Sequence, residues 1–193
     1  MYHELVRTAS FWSFLFSVDE DLAEESRRAG CSCGGRLHRA KYPRKPRGGC
    51  ADLPESCGCR LSFCCERDGC RKRVTPPSVR FLGRKVYLGA VVVLVAAMRQ
   101  GPSPRRVREL TELFGVDRRT VERWRDFWRE HFPQTAFWKV ARGRFLRLGS
   151  VDLPRVLFEA FIHRGDSREE WKGLLRFLAP ITITGGLAIA GIS

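Results

Sequence analysis

CSCGGRLHRAKYPRKPRGGCADLPESCGCRLSFCCERDGC, residues 31–70, decides the fold. All eight cysteines of the 193-residue chain lie in it, at positions 31, 33, 50, 57, 59, 64, 65 and 70. Long apolar runs are missing, and cysteine, glycine, proline and arginine dominate. So little apolar surface cannot build a conventional core, and a bound metal is the available staple. Cys31-Ser-Cys33-Gly-Gly and Cys64-Cys65-Glu-Arg-Asp-Gly-Cys70 read as two tight turns. Glycine stands in each because backbone N–H groups must approach the sulfurs closely. Between them the clearest strand is Arg60–Cys65, with Leu61, Phe63 and Cys65 on one face.

Two short cysteine pairs about a basic insert are the layout of a zinc ribbon. The expected ligands are Cys31, Cys33, Cys65 and Cys70. Cys65 is preferred to Cys64 because it shares a strand face with Leu61 and Phe63. Cys57, Cys59 or His38 are alternatives for one place. A knuckle usually has two residues between its cysteines, and Cys31–Cys33 has one. Four thiolates around Zn²⁺ close a tetrahedron, which makes a structural site and not a catalytic one. In small modules such a site contributes on the order of 10 kcal/mol to folding.

The insert Arg36–Arg47 carries six Lys or Arg residues, no acid and two prolines. Its prolines favour extended backbone, so Arg44, Lys45 and Arg47 are expected to follow a phosphate chain. Arg71, Lys72 and Arg73 form a second basic run. The whole chain carries a net charge of +14. Residues 31–150 hold 27 basic and 10 acidic residues, residues 1–30 hold three and six, and residues 151–193 hold five of each. The excess therefore sits in the middle segment, and a polyanion is the first partner to consider.

Residues 104–130, PRRVRELTELFGVDRRTVERWRDFWRE, read as two helices about a turn. Val107, Leu110 and Leu113 or Phe114 form the inner stripe of the first. Gly115 supplies the left-handed residue that closes it, and Asp117 caps the second, expected to run to about Phe132. Val121, Trp124 and Trp128 face inward. This is the form of a helix-turn-helix, whose second helix contacts base edges from its N-terminal part. Arg118, Arg119 and Arg123 are the candidates for that contact, with Arg105 and Arg106 on phosphates. Glu122, Asp126 and Glu130 allow a plainer reading, in which the arginines pair along a solvated helix. Residues 84–99 supply the apolar third helix, after a connector at 76–83 where Pro76 and Pro77 bar helix.

The remaining segments are helical. Residues 2–28 place Leu5, Phe11 or Trp12, Leu15, Val18 and Leu22 on one stripe. Asp19, Glu20, Asp21, Glu24 and Glu25 are expected on a solvated face. Residues 134–150 read as a basic linker, and 151–178 as one or two helices carrying Leu153, Val156, Leu157, Phe161, Trp171, Leu174, Leu175 and Leu178. The N-terminus has neither a basic n-region nor a cleavage site, which points to a cytoplasmic, nucleoid-associated protein with reduced thiols. Val86–Met98 and the uncharged Phe177–Ser193 are poor membrane spans, so no membrane partner is expected.

CRKRVTPPSVRFLGRKVYL followed by RRVRELTELFGVDRRTVERW resembles the N-terminal region of bacterial insertion-sequence transposases, in which a zinc ribbon precedes a helix-turn-helix. The likeness covers roughly residues 31–132. It implies a DNA-end-binding head with Cys31, Cys33, Cys65 and Cys70 as zinc ligands. Such transposases cut with three carboxylates holding two metal ions. After residue 132 the acids are Asp152, Glu159, Asp166, Glu169 and Glu170, in about 60 residues that cannot build a nuclease fold. The chain is therefore expected to bind and not to cut.

The expected fold is mainly α with a small β zinc ribbon and a three-helix helix-turn-helix core. Its parts are an amphipathic helix (1–30), the ribbon (31–75), the helix-turn-helix (76–132) and a C-terminal region (133–193). The expected function is sequence-specific binding of double-stranded DNA by a transposase-related, non-enzymatic protein. A separate transposase or a second copy is a further expected partner. The alternatives are a protein-interaction adaptor, an RNA-binding ribbon, or a nuclease fragment working with a separate catalytic chain.

Overall fold

A computed structural model describes residues 8–44, 53–81, 103–115, 117–148, 153, 155–162 and 168–183. The chain is mainly helical, with one small antiparallel sheet. Helix α1 (Ala9–Ala29) begins where the Thr8 hydroxyl accepts the Phe11 amide, and ends at Gly30, whose φ is +72°. Phe11, Leu15, Val18 and Leu22 recur every three or four residues and are buried, as the stripe requires. The stripe forms one side of the main core.

Three strands follow in the order β1 (Leu37–Pro43), β2 (Cys59–Cys65) and β3 (Arg73–Val74). Strand β2 was expected. Strand β1 falls within the basic insert, whose prolines favour extended backbone, and it pairs with β2 throughout, from Leu37 opposite Cys65 to Pro43 opposite Cys59. Its charged residues concealed a half-buried strand. Leu37, Phe63 and Cys65 pack with Ala23 of α1 and Cys31 in a small core of their own. On the opposite face Arg60 and Ser62 are buried, and Arg60 donates to the carbonyls of Phe81 and Pro76 (both 3.1 Å).

The second half begins with α2 (Pro104–Phe114) and α3 (Arg118–Asp126). The latter continues as a π turn over Phe127–His131, which widens the winding and brings Phe127 and Trp128 both into the core. Residues 134–150 are not simply a linker. Thr135 caps α4 (Ala136–Ala141) and a 3₁₀ segment spans Arg142–Leu148. Trp138 and Phe145 are buried while Lys139, Arg142 and Arg144 face solvent, so the basic residues mark the outer side of a packed helix. Helices α5 (Arg155–Phe161) and α6 (Arg168–Leu178) complete the core through Val156, Leu157, Trp171, Leu174, Leu175 and Leu178.

One acid breaks the expected pattern. Asp19 is buried, not solvated. Its carboxylate accepts the guanidinium of Arg80 (2.7 Å), the hydroxyl of Ser78 (2.6 Å) and the amide of Val79 (2.6 Å). Arg80 is itself fully buried and also donates to the carbonyls of Ser56 and Cys59. Burial pushes Asp19 above the ordinary carboxylate range, against the pull of Arg80, Ser78 and Val79. Ser78 N donates to Thr182 Oγ1, so the connector joins α1, the sheet and the C-terminal segment. Asp21 and Glu25 are not merely solvated either, since they pair with Lys172 and Arg176 of α6.

Candidate metal centre and basic helical face

Cys31, Cys33, Cys65 and Cys70 come together, with their sulfurs all within 4.8 Å of one another. Cys31 Sγ lies 3.7 Å from Cys70 Sγ, and Cys33 Sγ 3.5 Å from Cys65 Sγ. A tetrahedron with Zn–S bonds of about 2.3 Å has sulfur–sulfur edges of about 3.8 Å, so the spacing fits a tetrathiolate ion site. The one-residue gap between Cys31 and Cys33 is accommodated by a turn. Gly34 N donates to the Cys31 carbonyl, Cys31 N to that of Gly35, and Gly34 takes a φ of +81°. Gly69, with φ +83°, plays the same part before Cys70.

The backbone is aimed at the sulfurs in a repeated way. In three of the four cases the amide two residues further on donates to the thiol: Gly35 to Cys33, Arg67 to Cys65 and Lys72 to Cys70. The Gly35 amide, with the neighbouring thiols of Cys70 and Cys65, holds Cys33 down at about 6. Cys65 is pushed up to about 12, because the pull of the Arg67 amide is outweighed by burial and the adjoining sulfurs. Cys70 is also raised, its Lys72 amide opposed by Cys33 and by burial. One site thus holds a ready thiolate beside reluctant thiols, and a cation at the centre would ionise all four.

Gly35 is needed for space as well as for its amide. A Cβ there would lie 2.6 Å from Cys65 Sγ, 3.2 Å from Arg67 Cβ and 3.4 Å from Cys33 Sγ. Two cations of the second knuckle latch onto the first. Arg67 donates to the Cys33 carbonyl (2.6 Å) and Lys72 to the Ser32 hydroxyl (3.3 Å). They stand beside a cluster that four thiolates and a dication would leave at net charge −2. The glycine amides follow the expected pattern, whereas the contacts of Arg67 and Lys72 carry no local signal in the sequence.

The alternative ligands are elsewhere. His38 is on the exposed side of β1, with Nε2 2.8 Å from Glu66 Oε2. Cys57 is fully buried in the main core, and Cys64 donates to the Arg71 carbonyl. Cys59 is outside the cluster, and Cys50 lies outside the described residues.

The second feature is the α2–α3 pair. Gly115 turns the chain at φ +57°. Asp117 Oδ1 then accepts the Thr120 amide (2.8 Å), and this bond holds the Asp117 carboxyl below its ordinary range. Val121 and Trp128 are buried, so the opposite side of α3 faces out. Arg119 and Arg123 are exposed there, and Arg118 is exposed in the first turn, on the Val121 side. Arg118 pairs with Glu122 (2.8 Å) and Arg105 with Glu109 (3.0 Å), as the plainer reading supposes. These side chains are 77% and 89% exposed, and such pairs bind so weakly that a phosphate or base can replace the carboxylate. Arg123 donates to Thr120 Oγ1. Arg44 stacks 4.2 Å above the ring of Tyr42. The side chains of Arg106 and Trp124, together with Lys45, Arg47 and the expected helix 84–99, lie outside the described residues.

No helix among the described residues is long and apolar enough to cross a membrane. Comparison with protein-family models, with curated proteins and with solved structures gives no match.

Proposed function

We propose that this chain binds double-stranded DNA with sequence preference, without cutting it, and that Zn²⁺ held by Cys31, Cys33, Cys65 and Cys70 fixes the ribbon. The observation that carries the reading is the outward side of α3, where Arg119 and Arg123 stand exposed, with Arg118 exposed in the first turn, behind a glycine turn and an aspartate cap. In a helix-turn-helix this part of the second helix meets base edges in the major groove. In this reading Arg105, Arg106 and Arg44 neutralise phosphates. When bound, zinc supplies folding energy and leaves no open coordination position. A transposase-related origin, as the sequence resemblance implies, belongs to the same proposal.

The test is an Arg119→Ala/Arg123→Ala double variant on the preferred duplex and on random duplex. Each bidentate arginine–guanine contact is worth about 1–3 kcal/mol of discrimination, so the preference should fall at least tenfold. Unchanged binding to both duplexes would remove base readout from α3.

A further inference from the structure

Three side chains on the face of the sheet that carries Arg60, Ser62 and Cys64 form a unit that the reading of α3 does not use. Tyr42 lies on β1 opposite Arg60, and Arg73 lies on β3 opposite Cys64. Both residues therefore belong to the face that carries Arg60, Ser62 and Cys64. Between them in the register stand the small residues Ala40 and Ser62, so the longer side chains can meet across the face. The Arg73 guanidinium is 5.1 Å from the centre of the Tyr42 ring, and the Arg44 guanidinium 4.2 Å from it.

Neither arginine has a carboxylate partner among the described residues. The nearby acids are engaged elsewhere: Glu66 with His38 and the Arg36 amide, Asp68 with Arg71. Arg73 is exposed and Arg44 half-exposed. Stacking on the ring holds both guanidinium planes in place while leaving their N–H groups free to donate. Such an arrangement reduces the side-chain entropy lost on binding. Its ligand chemistry is that of anionic oxygens, which the phosphates of a nucleic-acid strand supply.

We propose that Arg44, Tyr42 and Arg73 form a phosphodiester clamp on the ribbon, which grips the DNA backbone without regard to sequence while α3 reads bases. This rests on the proposed duplex binding and assigns the ribbon its share of it. The experiment is a salt titration of binding to labelled duplex by the full-length, zinc-loaded protein and by an Arg44→Gln/Arg73→Gln variant, with zinc content and circular dichroism confirming that both are folded. Two lost phosphate contacts lower the slope of log K against log[salt] by about 1.8, or about 60-fold in affinity at 0.1 M salt, equally on preferred and random duplex. Tyr42→Phe keeps the ring and retains the wild-type slope, whereas Tyr42→Leu weakens both duplexes. An unchanged slope in the double variant overturns the clamp while leaving the α3 reading intact. Salt-insensitive or absent binding by the wild type overturns both.

Discussion

Replacing Gly35 by alanine should damage the metal site and little else. The new methyl carbon would sit 2.6 Å from Cys65 Sγ, about 1 Å inside a normal carbon–sulfur contact. A free thiol could swing aside. A thiolate held by an ion cannot, because its edge to Cys33 Sγ is already near the tetrahedral value. Arg67 Cβ at 3.2 Å and Cys33 Sγ at 3.4 Å close off the other directions. Disturbing the groups that orient ligands typically lowers metal affinity 10- to 100-fold, which corresponds to about 1.4–2.8 kcal/mol. The assay is competition for Zn²⁺ against a chromophoric chelator, comparing wild type, Gly35→Ala and Gly34→Ala. Gly34 is the control, because a Cβ there meets nothing within 4 Å although its φ of +81° is strained. Gly34→Ala should weaken folding modestly and leave the affinity of the folded site within a few-fold. A Gly35→Ala protein that competes as well as wild type would refute the argument that these sulfurs close around an ion.

Two further outcomes follow from buried chemistry. Asp19→Ala leaves the Arg80 guanidinium buried without its counter-charge, and should cost about 3–5 kcal/mol in denaturant unfolding; a loss under 1 kcal/mol would show that the pair does not anchor the connector. At pH 7.5 Cys33, held at about 6, is a thiolate, while Cys65 and Cys70, both raised, keep their protons. Zinc loading should then release at least two protons per ion and weaken as the pH falls. Calorimetry in two buffers of different ionisation enthalpy measures this, and release of fewer than two would contradict the assignment.

Much of the site was legible in the sequence because its determinants are local. Cysteines beside turn glycines, and a cysteine two residues along a strand from Phe63, point to the four thiols that come together, while Cys57, Cys59 and His38 stay open for one place until the fold is known. Gly115 and Asp117 mark the end of one helix and the start of the next for the same reason, since caps and turns act within a few residues. Local charge misled where burial was decided at a distance. Asp19 sits in an acidic run, and nothing nearby says that it meets Arg80 sixty-one residues later. Lys139 and Arg142 suggested a solvated linker, because the partners of Trp138 and Phe145 lie in other helices.

The sequence by itself placed the two cysteine turns, the Gly115 turn and the Asp117 cap, and left one ligand place open to Cys57, Cys59 or His38. Only the tertiary structure decided that Leu37–Pro43 of the basic insert form a strand, that Asp19 and Arg80 are interred together, and that Tyr42 gathers Arg44 and Arg73. The division has one physical cause. Turn geometry, capping and side-chain period are set by neighbours along the chain, whereas desolvation and stacking depend on groups brought close only after the chain has folded.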